Sequence, residues 1–141
     1  MKLADYEERK KPFMTMGLEP LQQLADGGDP VAQNVLGLRY AEGTGAEENP
    51  ELAYKYIRMA AVQGLDVAQD NLGILFLNGT GVSKSVTTAR FWFSLSAAQG
   101  CEWGENSLRS LKQRGTDDYL ILPEAAEPAT PQSYPLTLLP G

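Results

Sequence analysis

The sequence predicts an all-α protein, a short α-α solenoid built from antiparallel helix pairs. Three observations predict it. Shifted by 36 residues the chain matches itself, with twelve identical positions between 29–64 and 65–100. Residues that start helices stand at matched places in the two units. Glycines that end helices recur behind them. A period of this size marks a stacked repeat, in which one unit cannot bury its apolar face alone and neighbours supply the cover.

Residues 1–17 read as a charged N-terminal segment. Arg9-Lys10-Lys11 beside Glu7 and Glu8 reads there as a solvated helix face. The solenoid is read over 18–115. Residues 18–28 match the second helix of a leading unit, because Leu21, Leu24, Ala25 and Gly28 align with Ile57, Ala60, Ala61 and Gly64. Pro20 restricts where that helix starts.

The first helix of unit 29–64 opens at Asp29-Pro30. The carboxylate caps free amides, and the proline sits where its missing N–H costs nothing. Ala32, Leu36 and Tyr40 follow at spacing four, on one face. In unit 65–100, Asp66 is read as the matching cap, with Ala68, Leu72 and Phe76 on the same face. Gly43-Thr44-Gly45 and Gly79-Thr80-Gly81 end these helices.

The second helices open at Asn49-Pro50 and near Ser85, and stop at Gly64 and Gly100. Ala53, Ile57, Ala60 and Ala61 form a small-residue stripe, repeated by Ala89, Phe93, Ser96 and Ala97. Small side chains let helix axes approach toward the low end of the usual ~8–10 Å. Gly37 and Gly73 sit mid-helix, where glycine costs about 1 kcal/mol relative to alanine. That cost at matched places predicts close contact with the paired helix.

Residues 102–114 read as the first helix of a third unit, with Gly104 in the alanine's place and Arg109 in the helix glycine's. Pro123 bars the next helix, so 102–114 reads as a closing cap with a polar outer face. Residues 116–141 hold four acids, no base and five prolines, and read as an acidic, extended or disordered tail. Three roles stay open for it: plain disorder, folding back into a groove, or serving as a ligand motif.

Composition excludes several function classes. The formal net charge is −6, which disfavours a phosphate-tracking nucleic-acid surface. The chain has no histidine, so the commonest general base and most transition-metal sites are missing. A lone Cys101 excludes disulfide frameworks and Cys-cluster zinc sites, and reads as an inert small residue. No catalytic set is found, and neither a cofactor nor a metal is expected. No apolar run is long enough to span a membrane, and charged residues at 4–11 replace the apolar stretch of a signal peptide. These features point to the cytoplasm. Gly43-Thr44-Gly45 is no phosphate loop, because it follows a helix and lacks the Gly-Lys-Ser/Thr.

The string Ala32, Leu36, Gly37, Tyr40, Gly43, Gly45, Ala60, Ala61, Gln63, Gly64 resembles the Sel-1-like repeat family, relatives of tetratricopeptide repeats. It stands again as Ala68, Leu72, Gly73, Phe76, Gly79, Gly81, Ala97, Ala98, Gln99, Gly100. The resemblance covers 29–100, with half-units at both ends. It implies a right-handed superhelix whose first helices line a concave groove that holds other proteins or peptides. On that geometry, helical spacing places Asn34, Leu38, Asp70, Ile74, Leu77, Trp103 and Asn106 in the groove, as an apolar strip beside a polar row. Amides there can bond a peptide backbone, and the strip can seat an anchor. Packing within the repeat is the competing role for the apolar members. Trp103 is either a binding anchor or a contact for the tail. Tyr54, Tyr56, Phe91 and Trp92 read as packing between units or on the convex side.

The expected function is therefore a protein-interaction module, an adaptor or scaffold holding a protein or peptide. The alternative is a bacterial immunity protein or secretion chaperone whose acidic surface complements one basic partner. No nucleic acid or membrane partner is expected. Apolar ends on a short solenoid also allow a homodimer.

Overall fold

A computed structural model describes residues 1–113. The expectations for 116–141 lie outside the described residues. Seven helices are present among them: α1 (Leu3–Met14), α2 (Leu18–Asp26), α3 (Pro30–Glu42), α4 (Pro50–Val62), α5 (Asp66–Asn78), α6 (Val86–Ala98) and α7 (Glu102–Gln113). From α2 onward each helix packs on the next, and α5 also touches α7. This is an all-α solenoid in which first helices α3, α5 and α7 alternate with second helices α2, α4 and α6. Residues 1–17 carry a helix, α1, that packs on α3.

The starts of the helices follow from local chemistry. The Asp29 carboxylate accepts from the Val31 and Ala32 amides at 2.9 and 3.0 Å. Asn49 accepts from Leu52 N–H at 3.1 Å, and Ser85 Oγ from Thr88 N–H at 3.1 Å. Each bond satisfies an amide that a helix start leaves open. Asp66 departs from its expected role. Leu65 occupies the N-cap position, and Asp66 is the first helical residue, buried, its Oδ1 accepting from the neighbouring Val67 N–H at 2.8 Å. The 36-residue register pairs Asp66 with Pro30 rather than with Asp29, which explains the difference.

Gly43 and Gly79 end α3 and α5 with φ of 72° and 74°, where a Cβ is strained. The loop behind each is tied back identically: Asn49 N–H donates to the Tyr40 carbonyl, and Ser85 N–H to that of Phe76, at 2.8 and 2.9 Å.

The mid-helix glycines mark close approach, as their repetition predicts. A Cβ on Gly37 would stand 2.5 Å from Ile57 Cγ1 and 3.2 Å from the Ala53 carbonyl oxygen. A Cβ on Gly73 would stand 2.5 Å from the Phe93 ring. Gly104 follows the same logic one unit later, because a Cβ there would run into Ser96. Arg109 holds the third helix-glycine position and is exposed on α7.

Four glutamines clamp neighbouring units. Gln33 Nε2 donates to the Ala25 carbonyl at 2.9 Å, and Gln69 Nε2 to that of Ala61 at 3.2 Å. Gln63 Nε2 donates to Gln33 Oε1 at 2.8 Å and to the Gly28 carbonyl at 3.0 Å. Gln99 repeats this on Gln69 and Gly64, at 2.9 and 3.0 Å. Each clamp joins three consecutive helices. The third-unit equivalent of Gln33 and Gln69 is Glu105, whose carboxylate has no N–H to donate.

The core runs continuously between the layers. Leu21, Leu36, Ile57, Leu72 and Phe93 are fully buried. Tyr56 stacks on Tyr40 and donates to Asp26 at 2.8 Å. Burial, followed by the neighbouring Asp26 carboxylate, pushes its phenol up to about 12. Cys101 is buried, and that burial pushes its thiol up.

Candidate functional site

α3 is apolar along much of its length, which turns most of its residues inward. Asn34 lies on this helix and is fully buried. Its Nδ2 donates to the Tyr6 hydroxyl oxygen of α1 at 2.8 Å, and its Oδ1 accepts from Asn71 of α5 at 3.4 Å. Tyr6 is itself fully buried. Burial drives its phenol far above the ordinary tyrosine range, Asn34 partly offsets this, and Glu7 adds to it. Its ring meets Trp103 of α7 edge-on, centroids 6.5 Å apart at 79°.

α1 thus reaches from α3 to α7 across the first-helix face. Arg39 Nη2 ties its far end down, donating to the Phe13 and Met14 carbonyls at 2.8 and 3.2 Å. These are carbonyls of the last helical turn, where a cation is favoured. The α-amino group of Met1 stands 3.0 Å from Asp66 Oδ2. Lys10 pairs with Glu7 at 2.7 Å and lies 5.6 Å over the Tyr6 ring. Arg9 and Lys11 face solvent.

Each expected groove residue has a definite place. Asn34, Leu38, Asp70, Ile74 and Leu77 are buried, so they are not the open strip that spacing alone suggests. The structure brings Asn34 and Trp103 together around Tyr6. Trp103 is half-buried. Asn106 is exposed on α7 and accepts from Arg109 at 2.7 Å, so the expected polar row of Asn34, Asp70 and Asn106 divides between interior and surface. Spacing identifies a helix face but not what covers it.

Sequence reading misses Tyr6, Phe13 and Arg39. The available signal is Leu3, Tyr6 and Phe13 at helical spacing within an otherwise charged stretch. It is faint because Lys10 fills the fourth position of that stripe.

Tyr54 and Tyr56 pack between units, Tyr54 edge-on to Phe76 at 5.8 Å. On α6, Phe91 and Leu95 are exposed while Trp92 is half-buried. Among the described residues, no group of three or more His, Cys, Asp or Glu side chains could hold a metal ion. No helix among them is long and apolar enough to cross a membrane.

Comparison with known proteins agrees with this architecture. The Sel1 repeat model matches residues 30–65 and 66–101, just over half of the chain. No curated protein matches. The solved Sel1 repeat protein from Oxalobacter formigenes is 39% identical with a TM-score of 0.61, covering 64% of this chain and 68% of that one. The structure of c5321, a protective antigen of uropathogenic Escherichia coli strains with an SLR fold, is 36% identical with a TM-score of 0.66. That match covers 70% of this chain and 21% of c5321, so the chain spans about a fifth of that protein's length. The repeated clamps, the paired helix glycines and these matches agree, and the chain belongs to the Sel1 repeat family.

Proposed function

We propose that the chain is an adaptor that holds one protein or peptide on its first-helix face, around Asn34, Leu38, Asp70, Ile74, Leu77, Trp103 and Asn106. Sel1 repeat proteins are generally protein–protein interaction scaffolds rather than catalysts. One observation carries the placement on this face. The face already receives a helical segment, α1, whose Tyr6 is seated against Asn34 and Trp103. The net charge of −6 favours a basic partner, as a specialised immunity protein or secretion chaperone would bind.

Affinity capture from source lysate tests the face. A Trp103→Ala, Asn106→Arg variant alters the first-helix side, and a Phe91→Ser, Leu95→Ser variant alters the outer side. Loss of a captured partner with the first variant, and retention with the second, supports the reading. The reverse pattern moves the binding surface to α6.

A further inference from the structure

α1 differs from every other helix in how it is held. Tyr6 is its sole buried side chain, the fewest of any described helix: α2 and α7 bury two residues each, α3 nine and α5 eleven. It has Pro12 inside its last turn, and its two side-chain ion pairs, Glu7–Lys10 and Glu8–Lys11, are internal to it. A helix of this length is marginal in water by itself. Its hold on the solenoid therefore rests on Tyr6, on the two Arg39 bonds, on half-buried Phe13 and, just ahead of the helix, on the Met1 α-amino group against buried Asp66. Segments with so few buried contacts open first.

The seat that α1 fills has a chemical preference. Asn34 is buried, and its Nδ2 is satisfied by the Tyr6 oxygen. A buried donor left without an acceptor is penalised, so an occupant bearing only apolar atoms is disfavoured. A site built around a hydroxyl discriminates against the analogue that lacks it. Trp103 adds an edge-on aromatic wall at 6.5 Å.

We infer that α1 is a releasable strap, and that the ligand taking its place is a helical segment presenting a tyrosine to Asn34 and Trp103. The inference rests on the first-helix face being the binding face. The strap is tethered through Thr15-Met16-Gly17, which keeps it at a high effective concentration. For such short linkers that concentration is about millimolar, so a ligand in trans competes at a disadvantage until the strap is weakened.

The probe is a fluorescent peptide of residues 1–17, titrated by anisotropy against the full chain. The Tyr6→Ala chain is expected to bind it at least tenfold tighter than wild type. A peptide carrying Tyr6→Phe is expected to bind at least fivefold more weakly than the unaltered peptide. Phe13→Ala, which alters the strap and leaves its seat and the probe intact, replaces Tyr6→Ala if that chain loses its native circular dichroism, with about a threefold gain expected. Equal affinity for wild type and the folded weakened chain overturns the strap. Indifference of the peptide to Tyr6→Phe overturns tyrosine recognition.

Hydrogen exchange on the full wild-type chain separates this inference from the binding-face reading. Faster exchange in α1 than in α4 and α5 is the expected result. Equal protection overturns the strap, even where partner capture still depends on Trp103. Tight peptide binding by the Tyr6→Ala chain, together with partner capture that ignores Trp103→Ala, keeps the strap and overturns the binding-face reading.

Discussion

Gly37 and Ile57 lie so close that a Cβ on the glycine would stand 2.5 Å from Ile57 Cγ1 and 3.1 Å from the Ile57 backbone nitrogen. Helix propensity alone makes Gly37→Ala stabilising by about 1 kcal/mol. Overpacking opposes it at about 1–3 kcal/mol. Backbone atoms of α4 cannot turn aside as a side-chain tip can, so overpacking wins. Gly37→Ala and Gly73→Ala are both expected to lower the urea midpoint. Ile57→Ala removes the obstructing Cγ1, so Gly37→Ala should cost less in that background than in wild type, which a double-mutant cycle reads directly.

Gln63 donates from one amide nitrogen to both Gln33 Oε1 and the Gly28 carbonyl. Gln63→Ala is expected to cost about 1–2 kcal/mol through the lost bonds. Gln63→Glu should cost more at neutral pH, because it sets a carboxylate against two oxygen acceptors. The gap between the two variants should narrow as the carboxyl protonates in acid, followed by chemical denaturation at several pH values.

The alkaline limit of stability follows from two phenols. Tyr56 is raised from 10.0 to about 12, and Tyr6 further, in both cases mainly by burial. A phenol raised in the folded state contributes stability that is fully present below its unfolded pKa. For Tyr56 that contribution is lost as pH rises from 10 through 12. The urea midpoint is expected to be insensitive to these groups at neutral pH and to fall across that window. In an ultraviolet titration, Tyr6 and Tyr56 should ionise above the ordinary tyrosine range. Tyr56→Phe should reduce the alkaline loss.

Cys101 should resist thiol reagents while the chain is folded. It is buried, and its thiol is raised by that burial, so both access and thiolate are scarce. Labelling by an aromatic disulfide reagent is expected to track global unfolding in urea. Rapid labelling of native protein would contradict the packing around α7.

Much of this arrangement was legible because repetition turns weak signals into strong ones. One mid-helix glycine is ambiguous, but Gly37 and Gly73 at the same place imply a neighbour that needs the space. Asn49 and Ser85 likewise support each other as helix starts. Asp66 misleads because an acid before an apolar helix resembles a cap, while the register assigns that position to Leu65. The site was harder to read. Leu38, Ile74 and Leu77 have the spacing of a face, but spacing does not tell an open face from a covered one. α1 lacks a repeat partner in the described chain, and its Tyr6 contact spans 28 residues to Asn34. No local pattern announces a pairing of that range.

The glutamine clamps also bear on how the array comes apart. Stacked repeats can fray unit by unit when the coupling between neighbours is weak. Here Gln63 and Gln33 together join α2, α3 and α4, and Gln99 and Gln69 join α4, α5 and α6, with α4 shared by both. Releasing any one of these helices breaks bonds held by the next. The chain from α2 to α6 should therefore melt as one cooperative block, with no stable half-array left behind.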